Sequence, residues 1–220
     1  MSVIDKGTGP QFGSSAQKKP FLLMCFFLAA IGNTLSPFIT SRLIGSGFAF
    51  LTMVMLEILI GILAYAIFYR KKRQISGPNL KKALPFFLLV LLMQTLPIIF
   101  THSYNPSLHF SLSDTPGIIY FIIISPFCEE VFYRGCLFDS LCYFCNAPDA
   151  GQAMIVPLLA TSLIFSVMHT QFSSTTEYSS VFILSILLIF VRVLTKGLTL
   201  PIMLHSFFNI LFILIIYKII

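Results

Sequence analysis

Seven apolar stretches, joined by short polar or basic connections, occupy nearly all of this 220-residue chain. A helix needs about 20 predominantly apolar residues to cross the hydrocarbon of a bilayer. Against that length, runs extend from Phe21 to about Thr40, from about Ile44 to Tyr69, from Ala83 to Thr101, from Gly117 past Arg134, from Ala153 to His169, from about Ser180 to Leu194 and from Leu198 to Tyr217. Backbone N–H and C=O groups inside hydrocarbon must be satisfied within the segment, which makes each run a helix. The expected fold is therefore all-α, a polytopic transmembrane helix bundle of about seven spans (six to eight). Composition excludes the soluble alternative: 57% of residues are hydrophobic and only 10% charged, against about 25% charged in an average soluble domain.

The net charge of +6 sits in short clusters between the apolar runs and forms no basic face of the kind that binds nucleic acid. Lys18-Lys19, Arg70-Lys71-Lys72-Arg73, Lys81-Lys82 and Arg192 with Lys196 fall on alternate connections, which assigns those connections to the cytoplasm. Residues 1–20 are expected to form a disordered cytoplasmic tail and residues 21–220 one bundle, with a turn at Ser41-Arg42 and an external loop from His102 to Pro116. The lipid bilayer is then the chain's principal partner. Cys142-x-x-Cys145 is a lone pair without the second pair that a zinc site would need, and the five cysteines read as ordinary buried thiols.

Ionisable and amide side chains inside the runs are few: Glu57, Gln94, Glu129, Glu130, Arg134, His169, Arg192, His205 and Asn209. A charge at the bilayer centre costs roughly 2.5–3.5 kcal/mol on the lenient insertion scale, so such groups face partners or wet cavities. Glu130 and Arg134 are four residues apart and share a helix face, where an ion pair lowers the cost of both. That leaves Glu129 on an adjacent face, available as a general base. The competing reading makes all three a packing triad. His169 shares a face with Phe165, four residues earlier, and could equally be an interfacial side chain bonded to a loop carbonyl. His205 and Asn209 are also four apart in an otherwise apolar run, as oxyanion donors or as an interhelical clamp. Together these groups suit water-mediated amide hydrolysis, with Glu129 taking a proton from water and His169 orienting it. Ser125 and Ser166 lack an elbow or a lysine partner, and Cys128 diverges from Glu129 by about 100° on the helix, so no side-chain nucleophile is expected.

The ordered motifs Glu129-Glu130-x-x-x-Arg134-Gly135, Phe165-x-x-x-His169 and His205-x-x-x-Asn209 resemble the CPBP family, which comprises type II CAAX prenyl endopeptidases and bacteriocin-processing or immunity (Abi) proteins. The likeness covers about residues 117–212. It implies an intramembrane endopeptidase in which Glu129 activates water, His169 assists, and His205 with Asn209 forms the oxyanion hole, supported by Glu130, Arg134 and Phe165. It implies no cofactor, while leaving open a zinc site of Glu129, His169 and His205. The implied partner is a membrane-associated peptide or protein substrate, and the implied setting a prokaryotic cell (inner) membrane. Two other classes remain: a non-catalytic immunity or interaction protein that retains the motif, and a proton-coupled carrier using Glu57 and Glu129, which the absence of internal repeats disfavours. Glu57 and Gln94 read as cavity lining or packing.

One geometric requirement tests the constellation. Counted from Gly151, His169 lies about 25 Å along the fifth helix at 1.5 Å per residue, deeper than Glu129 if the fourth helix ends near Arg134. The groups can meet if the fifth helix tilts or the fourth continues through the helical pattern of Cys136 to Phe144.

Overall fold

The computed structural model describes residues 14–44, 46–69, 80–101, 115–147, 152–170 and 172–216. All regular structure among them is helical. The helices are α1 (Ser14–Thr34), α2 (Ser36–Ile44), α3 (Ser46–Phe68), α4 (Leu80–Thr101), α5 (Thr115–Phe144), α6 (Ile155–Val167, preceded by a 3-10 turn), α7 (Thr175–Thr195) and α8 (Thr199–Ile216). Of the expected tail, residues 1–13 lie outside the described residues, and the stretch from Ser14 already belongs to α1. The Arg70–Arg73 cluster, residues 102–114 of the expected external loop and the chain end from Tyr217 also lie outside them.

Every apolar run holds a helix, but their lengths differ from the sequence expectation. Three helices are long and apolar enough to cross a bilayer, with windows at Leu51–Phe68, Thr115–Phe144 and Thr175–Thr195. A fourth is counted if α1 and α2, bent by 41°, form one broken span. The apolar helices Ala83–Thr95, Ile155–Val167 and Thr199–Ile215 are shorter; thirteen residues of α6 reach only about 20 Å, less than the roughly 30 Å of hydrocarbon. The expected turn at Ser41-Arg42 is helical, inside α2. The break falls instead at Leu35, two residues before Pro37, whose ring nitrogen cannot donate to the preceding turn. Helix α7 begins five residues before the apolar run because Ser174 caps it: its hydroxyl accepts from the Thr176 N–H, and Glu177 accepts from the Ser174 N–H. Hydropathy cannot see such a polar first turn.

Helix α5 is the axis of the bundle, packed by α1 and α3 on one side and by α6, α7 and α8 on the other, with α4 against α8 and α7. Leu23, Phe27, Ala30 and Ala64 pack on Val131, Phe132 and Tyr133 of α5. A second cluster joins Val90 of α4 to Leu184 and Leu188 of α7 and to Leu204 and Phe208 of α8. Only 11% of the α3 window is buried, against 44% for α7; its exposed Leu59, Ile62 and Leu63 suit a lipid-facing surface. Gly135 marks a close approach, since a Cβ there would sit 2.9 Å from the Tyr69 hydroxyl oxygen. That hydroxyl donates to Asp139, which also pairs with Arg192 at 3.3 Å, tying the end of α3 to α5 and α7.

Candidate active site

Helix α5 is not uniformly α-helical. Tyr120–Ile124 and Glu130–Leu137 are π-helical turns, with i→i+5 hydrogen bonds, between α-helical segments. The first has a cause in the sequence. Ser125 N–H bonds the Tyr120 carbonyl; in the same register Pro126 would serve Phe121 but has no N–H. The Phe121 carbonyl is taken instead by Asn209 Nδ2, at 2.7 Å from α8. One donor of Asn209 is thus an interhelical clamp on the main chain of α5 beside Pro126.

The two adjacent glutamates have separate surroundings. Glu130 is fully buried, and its Oε1 lies 3.0 Å from Arg134 Nη1 and 2.8 Å from His205 Nδ1. The expected Glu130–Arg134 pair therefore forms, and it carries a third member that helical spacing within α5 could not reveal. The Arg134 guanidinium stacks on the Phe165 ring at 4.2 Å, an attraction between cation and ring quadrupole that adds to the ion pair. Phe165, fully buried, also packs edge-on against His169 and Tyr133. Glu129, on the adjacent face, borders a cavity, with its side chain 20% exposed. The Ser125 hydroxyl, one turn earlier, donates to its Oε1, while Oε2 has no hydrogen-bond partner among the described residues.

Both imidazoles aim at that oxygen. His169 Nε2 and His205 Nε2 each lie 3.9 Å from Glu129 Oε2, too far for a direct hydrogen bond and suited to a bridging water. Each ring is held from behind: His205 Nδ1–H donates to Glu130, and His169 Nδ1–H donates to the Phe165 carbonyl at 2.7 Å. That carbonyl is available because α6 is ending. Met168 N–H bonds Ile164 and His169 N–H bonds Ser166, skipping Phe165 in the terminal turn. Depth also matches. Glu129 lies fifteen residues before the end of α5 and His169 fourteen beyond the start of α6, about 22 Å and about 21 Å respectively. Of the routes by which these groups could meet, the longer fourth helix is realised.

Glu129, His169, His205 and Asn209 all border one cavity of about 950 Å³. Its walls are largely apolar. Glu57 and Gln94, which the sequence left between lining and packing, border it too. Tyr120 on α5 donates to the Glu57 carboxylate, and Gln94 Nε2 donates to the Phe208 carbonyl at 3.3 Å. The sequence reading missed Ser125 as a partner of Glu129, although the spacing of four is legible, and missed Tyr120 altogether. Cys128 points away from the cavity toward α3, its Sγ 3.8 Å from the Glu57 main-chain oxygen. The distances of 3.9 Å also exceed the roughly 3.4 Å between two ligands of one tetrahedral zinc, and no group of three or more His, Cys, Asp or Glu side chains among the described residues is disposed to hold a metal.

Residues 111–211 match the family model described as type II CAAX prenyl endopeptidase Rce1-like. No curated protein and no solved structure matches the chain.

Proposed function

We propose that the chain is an intramembrane endopeptidase of the CAAX type that residues 111–211 resemble, one in which Glu129 activates water. The observation that carries this reading is the unpartnered Glu129 Oε2 at the cavity wall, 3.9 Å from two imidazole nitrogens. Water between them donates one proton to Glu129 and attacks the peptide carbonyl carbon. As negative charge gathers on the carbonyl oxygen, His205 donates to it through Nε2–H, its imidazolium stabilised by Glu130. Asn209 has a second N–H for the same oxygen. His169 keeps the attacking water in line. Glu129 then passes its proton to the departing amine, the C–N bond breaks, and the carboxylate is restored. The shorter apolar helices α4, α6 and α8 complete a bundle of about seven spans around this site. The test is cleavage of an internally quenched apolar peptide by purified protein in detergent: Glu129→Gln should abolish it while leaving thermal unfolding unchanged. Full activity in that variant overturns the reading.

One observation favours a second reading. Asn209 is bonded to the backbone and Glu130 Oε1 meets both Arg134 and His205, as they would in a non-catalytic immunity or interaction protein that retains a buried polar network. On that reading Glu129→Gln still protects cells or binds its partner.

A further inference from the structure

Part of the cavity wall belongs to α1 and α3, outside the stretch that matches the family. It presents hydrogen-bond acceptors without matching donors. Tyr120 serves one oxygen of the Glu57 carboxylate and leaves the second for another donor. Asn33 is 7% exposed, and its Nδ2 donates to the Met53 carbonyl at 2.8 Å. Because that partner can only accept, the amide orientation is fixed and Oδ1 is the atom left over. It is buried and has no hydrogen-bond partner among the described residues. Met53 precedes Glu57 by four residues, so the two positions share a face of α3, about 6 Å apart along the axis. The carboxylates and imidazoles bordering the cavity are those of Glu57, Glu129, Glu177, His169 and His205, beside the phenols of Tyr120 and Tyr133, with no lysine or arginine among the described lining residues. Glu177 is engaged in capping α7.

We propose that this wall is a subsite for a cationic group of the substrate, an ammonium or guanidinium that donates to the Glu57 carboxylate and to Asn33 Oδ1. The proposal rests on the peptidase reading for the identity of its occupant. A purely apolar segment would leave Asn33 Oδ1 unpaired and add no donor to the Glu57 carboxylate beyond Tyr120, and an anionic one would be repelled by Glu57 and Glu129. A cation with several N–H donors satisfies both and gains from the low dielectric. The same chemistry is offered by lysine, by arginine and by a free α-amine, all compact against 950 Å³ of cavity.

Binding is measured with the full-length Glu129→Gln protein in detergent, so that affinity is read without cleavage. The probes are N-acetylated, C-amidated apolar nonapeptides with one lysine moved through successive positions, beside counterparts with norleucine or glutamate there. Arginine and free-amine versions separate the sources of the cation. At one or more positions lysine should bind about tenfold more tightly than norleucine, and glutamate no better than norleucine. Adding Glu57→Gln should remove most of that preference without weakening the norleucine peptide; adding Asn33→Leu should reduce it. Equal binding of lysine and norleucine at every position overturns the subsite, as does a preference that survives Glu57→Gln. Should Glu57→Gln fail to fold, the lysine and norleucine comparison on the Glu129→Gln protein still decides. The outcomes separate from those of the peptidase reading: wild-type protein that cleaves with no cation preference overturns the subsite alone, and a cation preference in wild-type protein that never cleaves overturns the peptidase alone.

Discussion

The helices from Thr115 onward and the helices before it differ in how their polar groups are arranged around the cavity. In α5, α6 and α8, polar side chains meet across helices: Glu130 with His205, Asn209 with the Phe121 carbonyl, Arg134 over Phe165. Helices α1 and α3 combine apolar packing of Leu23, Phe27, Ala30 and Ala64 on α5 with single polar ties to it, Tyr120 to Glu57, Tyr69 to Asp139 and Ser140 to the Pro20 carbonyl. Hydrogen bonds are directional and fix atoms, whereas apolar burial is non-directional and fixes shapes. On the proposed reading the chemistry belongs to the C-terminal helices, and residues of α1 and α3 complete the cavity wall.

Glu129→Gln should give the largest effect, a loss of peptide cleavage of about 10²–10⁴-fold, the range for removing a general base. Because Gln keeps the shape and still accepts from Ser125, thermal unfolding should stay at the wild-type temperature. A large loss of stability would instead make Glu129 a structural member of the network and erase the distinction between it and Glu130.

Next in size is Glu130→Ala, which leaves the fully buried Arg134 without its counter-ion and should cost about 3–5 kcal/mol. Phe27→Ala on α1 should cost a similar 3–5 kcal/mol through its cavity. The pair sharpens the comparison through activity. Glu130→Ala also frees His205 Nδ1, so kcat of the folded fraction should fall. Phe27→Ala should leave kcat nearly unchanged. Equal kcat losses, measured at a temperature where both variants are folded, would show that the two halves of the molecule are not functionally separate.

Asn209→Leu comes third. It removes the hydrogen bond from α8 to the Phe121 carbonyl and should cost about 1 kcal/mol, seen as a lower unfolding temperature. If the second Asn209 N–H also serves the oxyanion, kcat falls as well while KM holds. A loss of stability with unchanged kcat restricts Asn209 to the interhelical clamp.

Much of this was legible in the sequence because membrane burial makes polar residues expensive and therefore informative. The Glu130–Arg134 pair and the separation of Glu129 follow from helical spacing, and the continuation of α5 to Phe144 follows from the pattern after Arg134. What stayed hidden depends on contacts between segments distant in sequence. Glu130 with His205 is a separation of 75 residues, and Tyr120 with Glu57 one of 63; no periodicity within one helix reports either. The break at Leu35 and the early start of α7 rest on proline and capping chemistry, to which hydropathy is blind. Three helices, or four with the bent pair, are long and apolar enough to cross, while an apolar run of α6's length marks burial as readily as crossing.

The smallest expected effect belongs to Ser125→Ala, and it probes the finest claim about the site. Ser125 and Glu129 are successive turns of α5, and the hydroxyl occupies Glu129 Oε1, so that Oε2 is the oxygen left toward the imidazoles. Removing one such hydrogen bond should cost about 0.5–1.5 kcal/mol. Expressed in the orientation of the base, that is a fall in kcat of about 2–12-fold with little change in KM. Ser125→Thr, which keeps the hydroxyl, should recover most of it. A fall in KM-dependent binding with unchanged kcat would make Ser125 part of the cavity lining only, and would leave Glu129 oriented by the two histidines of the C-terminal helices alone.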